Sequence, residues 1–181
     1  MSAPSNPQPT SSRFGPEHRR FAISRMFDAP RELVFSLWSD PNRLRRWWGP
    51  KGCTVGFCNM DLREGGQLLY SLQMPDGQEM WGKFVYREIL PPERLVFVTS
   101  FSDPEGKTTR APFNPNFPLE ILNTLTLSEQ FDLTRLVLMG EPVNSTAEET
   151  ELFESMQTSL HDGFSATFDK MQAYLNTLSA K

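Results

Sequence analysis

Apolar residues follow two different periods along the chain, and the change between them divides the sequence into a β-rich part and a helical end. Up to about residue 140 the apolar runs are short and are separated by turn signals such as Pro75-Asp76-Gly77, which is typical of antiparallel strands. After Thr146 apolar residues recur every three or four positions, as they do in an amphipathic helix. The pattern therefore predicts an α+β protein.

The first part of the chain is predicted to hold one strand, two short helices and then a series of strands. Pro30 suits the first turn of a helix that Asp28 or Ala29 would cap, and Asp40-Pro41 gives the same signal for the second helix. The strands are predicted, in order, at Phe21–Phe27, Cys53–Asp61, Gln67–Met74, Glu79–Leu90, Leu95–Phe101, Leu119–Leu127 and Thr134–Met139.

The last helix is predicted to run unbroken from about Thr146 to Leu178. Thr146 and Glu149 have the spacing of a capping box at its start. Gly163 interrupts this helix at a cost of about 1 kcal/mol relative to alanine. We therefore expect a strand, a ligand or a partner helix to approach closely at Gly163, with chance variation as the alternative.

This order of elements excludes the βαβ repeat of parallel α/β folds. It fits a helix-grip fold, in which a curved antiparallel sheet of about six or seven strands surrounds a long C-terminal helix and leaves room for a cavity. Residues 19–181 are predicted to form this single domain. Residues 1–18, which contain four prolines among small polar residues, are predicted to be a disordered tail.

Composition narrows the classes of function. The 181 residues suit one domain, and 14 phenylalanines supply large side chains that can line a core or a pocket. A formal net charge of −4 argues against binding to nucleic acid or to an anionic membrane. The chain contains neither a membrane-spanning apolar stretch nor the apolar core of a secretory signal, so we expect a cytoplasmic protein.

Neither metal binding nor a disulfide is expected. Cys53 and Cys58 are five positions apart in a predicted strand, which places them on opposite faces of the sheet. His18 lies in the predicted tail and His161 in the last helix, so the two histidines cannot form a metal site together. No cofactor is predicted.

Several short motifs together resemble one family. They are Asp28-Ala29-Pro30, Trp38-x-Asp40-Pro41, Trp47-Trp48-Gly49-Pro50, Asp61-x-Arg63-x-Gly65-Gly66, Pro75-Asp76-Gly77 and Pro91-Pro92-Glu93-Arg94-Leu95. Their order and spacing resemble the bacterial homologues of the activator of the heat-shock protein 90 ATPase, within the START-like (SRPBCC) superfamily. The resemblance implies a helix-grip fold with an internal pocket and no shared catalytic residue. Related sequences often have Gly-Trp where this chain has Gly163-Phe164.

Two sets of candidate site residues follow. A ligand cavity is predicted to be lined by large apolar and aromatic side chains: Trp48, Tyr70, Trp81, Phe84, Phe97, Phe101, Leu125, Met156, Leu160, Phe164 and Phe168. The candidates for an acid or base are Glu88, Glu120 and Tyr70, because a carboxylate that faces an apolar cavity would have a raised pKa.

Three functions remain open at this point. The first is binding of a small apolar or aromatic molecule by a protein without catalytic residues, and the second is a cyclase- or hydrolase-like enzyme that uses one of the three candidates above. The third, which the family name implies, is a chaperone partner. In the eukaryotic activators a separate domain precedes this one, so direct activation by the present chain is not expected. Either a monomer or a homodimer is compatible with the sequence.

Overall fold

The chain forms eight strands and four helices in the computed structural model, which describes residues 20–179. The predicted tail lies outside these residues, so the tail and the domain boundary stay predictions. In chain order the elements are β1 (Phe21–Phe27), α1 (Arg31–Ser39), α2 (Pro41–Leu44), β2 (Thr54–Met60), β3 (Gln67–Gln73), β4 (Glu79–Leu90), β5 (Arg94–Ser102), β6 (Thr108–Thr109), β7 (Glu120–Gln130), β8 (Leu133–Val143), α3 (Ala147–Ser155) and α4 (Gln157–Ser179).

All strands belong to one antiparallel sheet with the order β1-β8-β7-β5-β4-β3-β2, and β6 pairs with β5. The α+β helix-grip fold is confirmed. Strand β6 was not predicted, because two residues inside a proline-rich loop are too few to show a period. No helix within residues 20–179 has the length and apolar character needed to cross a membrane.

Two β-bulges bend the sheet on the side of β2 and β4. The pairing register shifts between Val55 and Cys58 in β2 and between Tyr86 and Glu88 in β4. A bulge adds one residue to one strand, so the strand bends and its twist increases. The bends help the sheet to curve around the helices, as the predicted fold requires.

Strand β8 continues beyond its predicted end and includes Pro142. Phe21 at the start of β1 pairs with Gly140, so β1 does not reach the last residues of β8. Pro142 pairs with Ile121 of β7 and lies beyond the end of β1, at an edge of the sheet, where proline is tolerated.

The two short helices are confirmed, but one of their caps was predicted incorrectly. Asp40 caps α2 as expected, since its side chain accepts a hydrogen bond of 2.8 Å from the Asn42 backbone N–H. Helix α1 is instead capped by Pro30 itself, which has an extended conformation and makes no side-chain cap bond. The expectation that Asp28 or Ala29 would be the cap is wrong, because the backbone N–H groups of Leu33 and Val34 bind the Pro30 carbonyl.

The last helix is not continuous, which corrects the prediction of one unbroken helix. The capping box of Thr146 and Glu149 is present, but α3 ends at Ser155 and α4 begins at Gln157, with Met156 near φ −92° and ψ 4°. The Ser155 hydroxyl donates to the Leu152 carbonyl at 2.7 Å. Such bonds from a side chain to the preceding turn compete with the helix ladder and bend helices.

The expected close approach at Gly163 is also absent. A Cβ atom at this position would meet no atom of the described residues within 4 Å, so neither a strand nor another helix requires glycine there. Gly163 has an ordinary helical conformation.

We predict that Gly163→Ala stabilises the protein by about 0.5–1 kcal/mol, because alanine costs less conformational entropy in a helix and would clash with nothing. Urea unfolding measures the change. Gly65→Ala is the matched control, since Gly65 also has open space but adopts φ +76°, and this variant should lose stability. A loss in Gly163→Ala would show that the glycine is needed for another reason.

Candidate functional site

A cavity of about 180 Å³ lies between the inner face of the sheet and the first half of α4. Strands β1, β3, β5, β7 and β8 form its floor and walls, and α3, α4, the loop after α2 and the loop before β7 cover it. Most of the surrounding surface is apolar.

Six of the residues predicted for the cavity line it. They are Trp48, Tyr70, Phe97, Phe101, Leu160 and Phe164. Phe164 faces inward as expected, and its ring stacks on Phe21 with 5.3 Å between the ring centroids. That these residues bind a ligand stays a prediction.

The other five predicted residues do not line the cavity. Trp81, Phe84, Leu125, Met156 and Phe168 are absent from its walls. Phe84 stacks on Phe97 at 4.5 Å, and Leu125 and Phe168 are fully buried in the core. Met156 lies at the break between the last two helices.

The strand register explains the position of Trp81. Tyr70, Gly82 and Phe101 are direct neighbours across β3, β4 and β5, and they form a row that reaches the cavity. Trp81 lies one position before Gly82 in β4, so its side chain leaves the opposite face of the sheet, where its ring packs on Phe57 with 5.3 Å between the centroids.

Sequence reasoning missed the remaining wall residues. They are Phe21, Thr99, Ser100, Phe117, Pro118, Leu119, Ile121, Asn123, Leu138, Gly140 and Phe153. The apolar run Phe117-Pro118-Leu119 inside a polar, proline-rich loop was a signal that this loop covers something apolar. The strand residues required the register, which the sequence does not show.

Asn123 is the main polar group on one wall of the cavity. Its Nδ2 donates to Thr99 Oγ1 and to the Ile121 carbonyl, both at 3.0 Å, which fixes the orientation of the amide. The amide Oδ1 lies beside Gly140, where an added Cβ would come within 3.2 Å of it. No donor within the described residues binds this oxygen, so it remains free to accept a hydrogen bond.

Tyr70 and Trp48 supply polar groups on the other side. Their rings meet edge to face with 5.9 Å between centroids. Burial raises the pKa of Tyr70 to about 12, and the neighbouring Trp48 side chain opposes this effect. Tyr70 is therefore a neutral phenol near pH 7. The Trp48 indole Nε1 is buried and has no hydrogen-bond partner of good geometry among the described residues.

Lys170 of α4 holds the loop that carries Trp48. Its Nζ donates to the backbone carbonyls of Trp48, Gly49, Pro50 and Cys53 at distances between 2.9 and 3.4 Å. Burial lowers the pKa of this amine. The four carbonyl bonds fix the loop against the helix, and Lys170 itself does not line the cavity.

An ion pair joins two of the segments that cover the cavity, namely the loop before β7 and helix α3. Arg110, in the loop before β7, binds the Glu149 carboxylate, and Glu149 also accepts a bond from the Thr146 backbone N–H at 3.0 Å. Both contacts lower the pKa of Glu149, with the Arg110 bond as the larger cause. The loop and α3 are also in contact at the cavity wall, where the ring centroids of Phe117 and Phe153 are 6.1 Å apart.

The two candidate carboxylates, Glu88 and Glu120, do not line the cavity, so their position does not support a role as acid or base there. Glu88 pairs with Arg94 at 3.3 Å, and its side chain is 44% exposed. Glu120 precedes Ile121 in β7, so the two side chains leave opposite faces of the sheet, and only Ile121 lines the cavity. No carboxylate, amine, imidazole or thiol lines the cavity within the described residues.

Comparison with known proteins agrees with this architecture. The profile of the family described as Activator of Hsp90 ATPase homolog 1-like protein matches residues 28–176. The solution structure of a protein from Arthrobacter aurescens has 26% sequence identity and a TM-score of 0.75, over 93% of this chain and 92% of that chain. No curated protein matches the sequence.

Two crystal structures are similar in fold. A protein from Mycobacterium smegmatis has 24% identity and a TM-score of 0.71, over 88% of this chain and 91% of that one. A protein from Nitrosomonas europaea has 21% identity and a TM-score of 0.72, over 91% of this chain and 98% of that one.

We predict that Gly82→Ala destabilises the protein by about 1–3 kcal/mol, the usual cost of overpacking. The added Cβ would lie 2.6 Å from the Tyr70 Oη and 2.7 Å from its Cζ, so the phenol would have to move from the cavity wall. Urea unfolding and the tyrosine and tryptophan side-chain signals in NMR spectra report the change. Unchanged stability would mean that the Tyr70 ring is not held where the structure places it.

Acid should weaken the contact between α3 and the loop before β7. Because the native pKa of Glu149 is lowered, its stabilising effect is present above the ordinary value of about 4.5 and is lost as the pH falls through the lowered native pKa. Glu149→Gln should therefore be less stable than the wild type at pH 7, and the difference should shrink steadily as the pH falls below about 4.5. Glu151→Gln, on an exposed position of α3, is the control, and it should not show this convergence.

Proposed function

The chain belongs to the Activator of Hsp90 ATPase homolog 1-like family, and we propose that it binds a small neutral molecule with one aromatic ring in the cavity beneath α4. The observation that carries this proposal is a cavity of about 180 Å³ whose walls are mainly aromatic and aliphatic and include no charged side chain within the described residues. A cavity of this composition favours an apolar ligand, because the ligand leaves water for aromatic and aliphatic contacts.

The volume supports a ligand of one ring. Apolar cavities of about 150 Å³ hold benzene, whereas pockets for drug-sized molecules span about 300–1,000 Å³. At about 180 Å³ the present cavity accommodates one ring with small substituents. A lipid would not fit unless the walls moved.

The charge of the walls supports a neutral ligand. An ion that entered this cavity would lose its hydration without gaining a partner of opposite charge, which costs several kcal/mol. The free Oδ1 of Asn123 and the phenol of Tyr70 instead suit a ligand with a hydroxyl or N–H group. We expect a phenol to bind more tightly than a hydrocarbon of the same size.

The two other functions lose their basis in the residues. The enzyme hypothesis named Glu88, Glu120 or Tyr70 as the acid or base. The two carboxylates lie outside the cavity, and Tyr70, which lines it, has a pKa that burial raises to about 12, so it is a poor acid or base near pH 7. The chaperone hypothesis depends on the family name, and no feature of the described residues adds to it. A cytoplasmic location remains part of the proposal.

Binding of p-cresol and toluene tests the proposal directly. Titration of the full chain, followed by amide and methyl NMR signals, should show saturable changes around the cavity, with about tenfold tighter binding of p-cresol if its hydroxyl bonds to the wall. Benzoate at pH 7 is the matched control, since it has one ring but a charge, and it should not bind. Absence of saturable binding by both neutral compounds would contradict the proposal.

Two variants of α4 provide a matched pair for the same assay. Phe168 is fully buried one turn after Phe164, so Phe168→Ala should lose about 3–5 kcal/mol of unfolding free energy and alter ligand affinity little. Phe164 borders the cavity, so Phe164→Ala should lose less stability and change toluene affinity more. The reverse order would place the site elsewhere.

A further inference from the structure

A second space lies beside the cavity, and Phe101 is the boundary between them. This outer groove has a volume of about 400 Å³ and is lined by residues that include Met80, Trp81, Arg110 and Phe113. Among the described residues, Phe101 alone lines both the cavity and the outer groove. The two spaces are therefore separated at this side chain.

Three aromatic rings connect the outer groove with the cavity. The Phe101 ring meets Phe113 of the groove edge to face at 5.7 Å and Phe117 of the cavity at 6.3 Å, and Phe113 and Phe117 lie 5.2 Å apart. Their exposure decreases inward, from 55% at Phe113 to an intermediate value at Phe101 and 7% at Phe117. An apolar path thus runs from solvent to the cavity, and Phe101 stands at its midpoint.

The residues that pair with Phe101 in the sheet place no large side chain beside its ring. Gly82 lies directly opposite it in β4 and adds no side chain, and the two-residue strand β6 places Thr109 on its other side. Phe101 is the penultimate residue of β5, close to the end of the sheet. Among the described residues, the Phe101 ring is thus the side chain of the sheet that separates the cavity from the outer groove.

We infer that Phe101 is a specificity-determining residue that limits the ligand to one ring, and that its removal joins the cavity to the outer groove. This inference rests on the proposed function and adds the size class of the ligand. The groove alone lies within the range of pockets that hold drug-sized molecules, so the joined site would accept an elongated neutral molecule with two rings.

The charged groups of the groove do not alter this assignment. Arg110 is paired with Glu149, and Glu79 accepts a hydrogen bond of 2.8 Å from the Gln73 side chain. Asp103 accepts one of 2.7 Å from the Lys107 backbone N–H. Since these groups already have partners, the ring contacts determine which molecules the joined site admits.

Toluene and biphenyl are the probes that distinguish one ring from two. Dissociation constants should be measured by NMR or calorimetric titration for the wild type, Phe101→Ala and Phe113→Ala. We expect the wild type to bind toluene and to bind biphenyl at least about tenfold more weakly, because the second ring has no space to occupy. Phe101→Ala should bind biphenyl about tenfold more tightly than the wild type does, with a change below about threefold for toluene.

Phe113→Ala is the matched control, because it removes a ring from the groove without opening the wall. Its preference between toluene and biphenyl should equal that of the wild type. Thermal unfolding checks that each variant is folded, and if Phe101→Ala does not fold, Phe101→Leu takes its place with a smaller shift in the same direction.

The outcomes separate this inference from the proposed function. If the wild type binds neither p-cresol nor toluene, the proposed function is wrong. If the wild type binds toluene but a folded Phe101 variant keeps the wild-type preference, the inference about Phe101 is wrong and the proposed function stands. A gain of biphenyl binding in Phe113→Ala equal to that in Phe101→Ala would also overturn the role assigned to Phe101.

Discussion

The uneven contact between α4 and the sheet is the constraint on which the site depends. The buried residues of α4 are Thr167, Phe168, Met171 and Leu175, which all lie between its middle and its C-terminal end. Before Thr167 no residue of α4 is buried, and Leu160 and Phe164 border the cavity instead. The sheet is thus covered tightly at one end of the helix and loosely at the other. The loop after α2, the loop before β7 and α3 close the space that remains.

Much of the fold could be predicted because it depends on local chemistry. Strand periods, the Asp40 cap and the Thr146–Glu149 capping box each involve residues close in sequence, and the structure confirms them. The cavity depends instead on which residues meet across strands. Trp81 and Phe84 illustrate the difficulty, since one lies on the opposite face and the other is covered by Phe97. Both look like suitable aromatic lining residues in the sequence alone.

Two further differences between the sequence-based prediction and the structure also arise from packing between distant residues. The break between α3 and α4 at Met156 contains neither glycine nor proline. Beside it, the Ser155 hydroxyl donates a hydrogen bond to the Leu152 carbonyl in the preceding turn. No strong sequence signal therefore marks the break. The loop before β7 contains Phe117 and Pro118 of the cavity wall, although neither belongs to a predicted element. A long loop can cover a core when its own apolar residues and an ion pair, here Arg110 with Glu149, attach it to a helix.

A cavity beneath a helix has a thermodynamic consequence that links stability to binding. Atoms around an empty space lack dispersion contacts, so the cavity reduces the stability of the free protein. A ligand that fills the space restores those contacts and stabilises the folded state, increasingly so as its concentration rises above its dissociation constant. Phe101 and Phe164 border this space and are only partly buried, so their packing can be completed by a ligand. Phe168 and Leu175 are already packed, so the ligand adds nothing to them. The half of α4 that contributes least to the stability of the free protein is therefore the half from which binding gains most.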